Sequence, residues 1–348
     1  MRLARFGAFA AACDSACSSG AAVREGETVA VGNSAENGAV DWGSYWVENG
    51  YGVRPTRAAE VLSAISRLAV LSASTPYVWR GVNDARFSVQ PSVFRVPGLK
   101  GGRDADEASV AAYEGKLLNE ASEWGVGQGA ETFPTHLSAL ATIQHHAAGI
   151  PGIGTRLLDV SAEPLTPLWF ATEPAKVGRQ REPDGVVLAI RRRGLPAFGT
   201  HSAQRGTRDP NSGLDGGMGL LFGEAQGGPF VVRPEFPSGR MIAQNSLFVA
   251  SKVPAGRRRE GLRAKGIDGL DLGLPSSITP LSEPNRAYLS GETSQSVGQP
   301  TTPLFVAIVV PGNQKARLRT TLGTTYGRSE QTIYPDVQGF VDSRKSRA

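Results

Sequence analysis

The sequence predicts an α+β fold, a β-sheet core flanked by helices. Apolar runs of strand length, DGVVLAIRRR and LFVAIVVP, alternate with segments whose apolar residues recur at helical spacing. These elements follow one another without the repeated strand-helix-strand period of a doubly wound parallel sheet. Of 348 residues, 40% are hydrophobic and 20% charged, enough apolar surface for a sizeable core and far from the composition of a disordered chain.

The elements are expected in this order. Residues 1–41 are rich in Ala, Gly, Ser and Asn without clear periodicity and read as a loosely ordered tail, with order beginning near Trp42 and one domain running over 42–345. TRAAEVLSAISRLAVLS places Val61, Leu62, Ile65, Leu68 and Leu71 on one helical stripe, with Thr56 as the expected cap. Pro76 stops continuation, and YVWRG reads as a strand with Val78 and Arg80 on one face and Tyr77 and Trp79 on the other. RFSVQPSVFR is a second extended piece, broken by Pro91, and helices are expected over 105–125 and in FPTHLSALATIQHHAAG.

GTRLLDVSAEPLTPLWFAT divides into a strand from Thr155 to Ser161 and a helix entered through prolines, Pro164 to Thr172. The Gly- and Pro-rich segments near 194–229 and 254–303 read as irregular insertions, RRREGLRAKG in the second having the pattern of a short helix. GRMIAQNSLFVA between them reads as a strand with a turn at Asn245-Ser246. After the strand LFVAIVVP, NQKARLRTTLGTTYG is a helix capped by Asn313 and closed by glycine, and TIYPDVQGFVDSRKS a terminal turn and helix.

Composition narrows the function. The net charge of +5 is spread along the chain, and Arg191-Arg192-Arg193 and Arg257-Arg258-Arg259 are short, without interleaved aromatics, so a nucleic-acid strip is not what the pattern favours. Cys13 and Cys17 are the only cysteines, too few for a disulfide framework or a four-cysteine zinc site, and no metal is expected. The N-terminus only faintly imitates an export leader, because Arg5 interrupts it. No run approaches the ~20 apolar residues of a membrane helix, so a cytoplasmic protein without a membrane partner is expected. Walker, Rossmann, Gly-x-Ser-x-Gly and His-Glu-x-x-His elements are all missing.

Four groups of residues have the chemistry of a site. Arg80 is a permanent cation on a strand that otherwise reads as buried, so it needs either an anionic ligand or an internal carboxylate such as Asp159. Gly81 behind it permits close approach of a ligand or of another backbone. His145 and His146 point ~100° apart on a helix, so only one of them is expected to face a given site, the alternative being a helix-end histidine satisfied by carbonyls. Thr155, Asp159 and Ser161 fall on one side of the expected strand and Arg156 on the other; the polar three either hold a ligand near the following helix N-terminus or form a turn network. Gln244 either lines the same cavity or satisfies backbone groups.

These pieces resemble a known family. YVWRGVNDARFSVQPSVFR is similar to the opening of the FRG domain, named for its Phe/Tyr-Arg-Gly motif, and ATIQHHAAGIPGIGTRLLDVSAEPLTPLWFAT resembles that family's A-Q-H-H to L-x-F-A pattern. RMIAQNSLFVA and TIYPDVQGF resemble its later elements, so the likeness spans most of 42–342. Trp79 stands where Phe or Tyr is usual, AGIPGIG is longer than the usual link, Val160 replaces Trp, and Ser246 replaces Gly.

The order of these elements is also similar, more distantly, to ADP-ribosyltransferases, which hold NAD across a split α+β sheet. That resemblance implies a split mixed or antiparallel sheet, NAD as substrate, and a transferase or glycohydrolase effector of bacterial or phage toxin or defence systems. It implies catalytic roles for Arg80, Ser161 and Gln244, and cofactor contacts from Arg80, Gly81, His146, Thr155, Arg156 and Asp159. Glu163, Glu224 and Glu235 are near in sequence, but spacing selects none as the catalytic glutamate. The acceptor macromolecule is left open. The alternative is a non-catalytic module that binds a nucleotide or nucleic acid through Arg80, Arg95, Arg156 and the loop arginines.

Overall fold

In chain order the strands are β1 (Gly52–Val53), β2 (Tyr77–Val82), β3 (Leu158–Ser161), β4 (Gly185–Arg191), β5 (Ala197–Gly199), β6 (Phe230–Arg233), β7 (Ser246–Ala250) and β8 (Phe305–Val310). They form one sheet in the order β1-β8-β4-β2-β3-β7-β6-β5, parallel at its two outermost pairs and antiparallel between. This is a mixed sheet with flanking helices, as the sequence predicts. The computed structural model describes residues 41–345 apart from 88, 97–98, 100–105, 125–135, 148–149, 151, 175–180, 193–194, 196, 200–228, 235–236, 252, 254–277 and 293–297. The expected N-terminal tail, both cysteines, the helix in RRREGLRAKG, Glu224 and Glu235 lie outside the described residues.

The helices are α1 (Trp42–Glu48), α2 (Ala58–Leu71), α3 (Glu107–Glu123), α4 (His136–Ala147), α5 (Leu165–Ala171), α6 (Gly239–Ala243), α7 (Glu283–Ser290), α8 (Lys315–Tyr326), α9 (Glu330–Ile333) and α10 (Val337–Lys345). Alternation along the strands sends apolar side chains to both faces of the sheet. On one face Tyr77, Trp79, Val187, Ala189, Val306 and Ile308 pack with the buried stripe of α2 and with α5 and α8. On the other, Val78, Leu158, Val160, Val186, Leu188 and Phe305 pack with Trp46 of α1. A separate cluster, built by Phe230, Val232 and Phe248 with Leu118 of α3 and Leu137 and Leu140 of α4, covers the far end of the sheet.

Several local readings are corrected. Thr56 does not cap α2 with its hydroxyl; Glu60 does the capping, its carboxylate accepting from the Thr56 N–H and hydroxyl and from the Arg57 N–H. The segment after Pro91 is a 3₁₀ turn, Ser92–Arg95, not an extended piece. β3 starts only at Leu158, because the Thr155 hydroxyl accepts the Leu157 N–H and turns the chain before the ladder begins. GRMIAQ is a helix, capped by Ser238 and closed by Gln244; Asn245, at φ 48°, turns it into β7. Asn313 lies in a 3₁₀ turn rather than capping α8, while Gly327 closes that helix in the left-handed region. Three-residue β5 falls inside the insertion expected at 194–229, and α7 inside the one expected at 254–303.

Two buried cations tie distant elements together. Arg156, 1% exposed, meets Glu114 of α3 through Nε at 2.6 Å and through its main-chain N–H at 2.7 Å, and meets Glu107 through Nη1. Glu107 in turn accepts the Val253 N–H. Lys315, 2% exposed at the start of α8, donates to the carbonyls of Asn83 and Glu173 and pairs with Glu182 at 3.0 Å. Among the described residues no helix is long and apolar enough to cross a membrane.

Removing one member of a buried ion pair leaves the other unpaired, so Arg156→Ala or Glu114→Ala is expected to cost about 3–5 kcal/mol, read from denaturant unfolding. A Cβ at Gly81 would lie 1.8 Å from the Pro167 carbonyl oxygen of α5. Gly81→Ala is therefore expected to lower stability by about 1–3 kcal/mol or more, seen as a drop in melting temperature.

Candidate functional site

β2 pairs with β4 at six consecutive positions but with β3 at one, Trp79 opposite Ser161. Beyond that contact the two strands part. A cleft of about 1150 Å³ opens there, and residues from β2, β3, α4, α5, α6, α9 and α10 line it. Its position follows from the sequence of β3. Asp159 and Ser161 point to the same face as Trp79 and Phe248, between two apolar clusters, and their polar groups keep those clusters from closing over the strand.

Arg80 leaves β2 on the opposite face, the side of Val78, and its Nη1 donates to the main-chain carbonyl of Asp159. Its Nε is buried without a hydrogen-bond partner, and among the described residues no carboxylate oxygen lies within ion-pairing distance of it. Burial holds the guanidinium pKa below its usual value; the charge of Asp159 opposes this and that of Arg95 adds to it. Arg95, exposed, lines the same part of the cleft. The guanidinium of Arg80 is thus desolvated, flanked by a second cation, and only partly satisfied.

Asp159 is held by α4. Gln144 donates from Nε2 to Asp159 Oδ2 at 2.7 Å, and its Oε1 accepts from the hydroxyls of Thr155 and Ser92, each at 2.8 Å. One amide thereby fixes the carboxylate against two hydroxyls that orient the amide itself. His145 Nδ1 lies 3.6 Å from Asp159 Oδ1, and both Asp159 Oδ1 and His145 Nε2 are buried with no hydrogen-bond partner. His146 is exposed, and its pKa is lowered by partial desolvation, His145 and Arg240, with Asp336 opposing. The two rings meet edge to face at 5.9 Å, and both line the cleft, where only one was expected to reach it.

Of the residues singled out in the sequence, Arg80, Gly81, His146, Asp159, Ser161 and Gln244 line this one cleft. Gly81 gives its room to the α5 backbone, the second of the two roles foreseen for it. Ser161 donates its hydroxyl to the Gln244 carbonyl at 2.8 Å, and the Gln244 amide donates to the Ile333 carbonyl at 3.1 Å. Gln244 closes a helix and does not stand on a strand. Thr155 and Arg156 are not in the cleft wall: Thr155 acts through Gln144, and Arg156 is consumed by Glu107 and Glu114.

The start of α5 is not open to an anion. Glu163 accepts the N–H groups of Leu165 and Thr166 and the Thr166 hydroxyl, and pairs with Arg328 at 3.3 Å. Glu163 is thus occupied as a helix cap and an ion-pair partner and is not among the residues that line the cleft. Gln144 and Glu173 were missed. Gln144 is the residue directly before the histidine pair, but a glutamine in a helix carries no signal of its own. Glu173 lines the cleft just beyond α5 and is held above the usual carboxylate range, chiefly by burial.

No curated protein and no solved structure matches the chain. The family model described as FRG domain matches residues 75–180, a narrower span than the resemblance drawn from the sequence. It takes in Arg80 on β2, Gln144 and the histidine pair on α4, and Asp159 and Ser161 on β3. The chain therefore carries an FRG domain over residues 75–180, and the parting of the sheet lies within it.

Proposed function

We propose that the cleft binds NAD and that the protein is an NAD-using transferase or glycohydrolase. The observation that carries this reading is the state of Arg80: desolvated, short of partners, and repelled by Arg95. A pyrophosphate would supply charge and acceptors to both guanidinium groups at once. The volume suits a ligand of dinucleotide size.

In the reaction, the bond between nicotinamide nitrogen and ribose breaks, nicotinamide leaves as a neutral base with the bonding pair, and positive charge develops on the ribose. Water or an acceptor nucleophile then bonds to the ribose carbon and releases one proton. Asp159, fixed by Gln144 with Oδ1 unbonded, supplies negative charge for the developing cation, and His145 beside it is the group placed to take the proton. Ser161 and Gln244 hold β3 to α6 and keep this wall in place.

Incubation of the purified chain with NAD and candidate acceptors should release nicotinamide or label the acceptor, and Arg80→Ala should lower this by about 10²–10³-fold. Intact NAD throughout sinks the reading. Arg80→Met removes a desolvated cation with no carboxylate partner, so its melting temperature should match or exceed that of the wild type, unlike Arg156→Met. Collapse of Arg80→Met would make Arg80 a structural group.

A further inference from the structure

We infer that the end of the cleft between α5 and α9 is a subsite for a positively charged planar ring, formed by Phe170, Glu173 and Tyr334. The orientation this implies, phosphates at Arg80 and ring at Glu173, rests on the NAD reading above; the subsite itself rests on its own geometry.

The rings of Phe170 and Tyr334 lie 6.3 Å apart, and the Glu173 carboxylate shares the cleft wall with them. Its contact is the Tyr334 hydroxyl at 3.4 Å, and among the described residues no cation lies within ion-pairing distance. The cations around it act on it at longer range. Lys315 is taken by Glu182 and two carbonyls, Arg240 pairs with Asp336 while covering Tyr334 at 5.0 Å, and Arg319 stacks on Trp169 at 4.0 Å and reaches Glu173 through its charge alone. Glu330, also in the wall, adds like charge. An aromatic face beside a carboxylate without an ion-pair partner is the chemistry that recognises a cationic ring.

The two ends of the cleft thus differ in which charges lack an ion-pair partner among the described residues. At the parting these are Arg80 and Arg95, beside Asp159; at the α9 end it is Glu173, with Glu330 and the aromatics, Arg240 there being paired with Asp336. An oxidised pyridine nucleotide carries the complementary pattern, anionic phosphates and a pyridinium ring. A reduced one has lost the ring charge. Burial and Glu330 favour the protonated form of Glu173, and Arg319, Lys315 and the Tyr334 hydroxyl oppose it. A cation binding there draws the proton off, so its affinity rises with pH through the titration of Glu173.

The test is calorimetric titration of the full chain with 1-methylnicotinamide, neutral nicotinamide and inorganic pyrophosphate as probes. The charged ring should bind at least about tenfold tighter than the neutral one, and the ratio should widen as pH rises. Glu173→Gln should bring the two rings close to parity and flatten the pH dependence, leaving pyrophosphate binding intact; Arg80→Ala should do the reverse. Equal affinity of the wild type for both rings overturns the subsite, and needs no variant to show it. Retention of the preference in Glu173→Gln also overturns it. Intact NAD alongside a retained ring preference sinks the transferase reading alone, whereas NAD turnover without that preference sinks the subsite alone.

Discussion

The single ladder contact between Trp79 and Ser161 is the constraint on which the rest depends. Were β2 and β3 paired along their length, the polar side of β3 would face a closed core and Arg80 would have nowhere to send its guanidinium. Instead the sheet is continuous across its eight strands and still leaves a cleft of about 1150 Å³ beside the break. The polar residues that hold the gap open are themselves held, Asp159 by Gln144 and Ser161 by the Gln244 carbonyl. A buried gap lined by unheld polar groups would collapse or flood.

The chain handles its two conspicuous arginines in opposite ways. Arg156 is fully buried and ringed by carboxylates, so its charge serves to fix α3 against the segment before β3. Arg80 is placed beside a backbone carbonyl and another cation, and the charge of Asp159 compensates it only in part. Equal charge with unequal partners is how the chain treats the two, Arg156 fully buried among carboxylates and Arg80 half-buried at the cleft.

Much of this was legible in the sequence. Alternation places Tyr77 and Trp79 opposite Val78 and Arg80, helical spacing finds α2 and α4, and proline entry and a closing glycine mark α5 and α8. What failed was local. GRMIAQ reads as the start of a strand because its apolar residues are too few to show a period, and the faces expected for Thr155 and Arg156 belong to a ladder that begins only at Leu158. The site was legible where a residue type is costly in its setting, as with Arg80. It was illegible where the role depends on what the chain folds against. Glu163 became a cap, Gln144 became the anchor of Asp159, and Glu173 gained meaning only beside Tyr334. None of these pairings follows from spacing.

Lys315 has a bearing on access. By gripping the carbonyls of Asn83 and Glu173 together, its ammonium rivets the last turn of one wall to the end of the floor strand. That edge is a fixed jamb. Asp336 does the same for the segment carrying Tyr334, Gln338 and Asp342, gripping Arg240 through two bonds of 2.6 Å, so a second border of the cleft is pinned by charge rather than by packing alone.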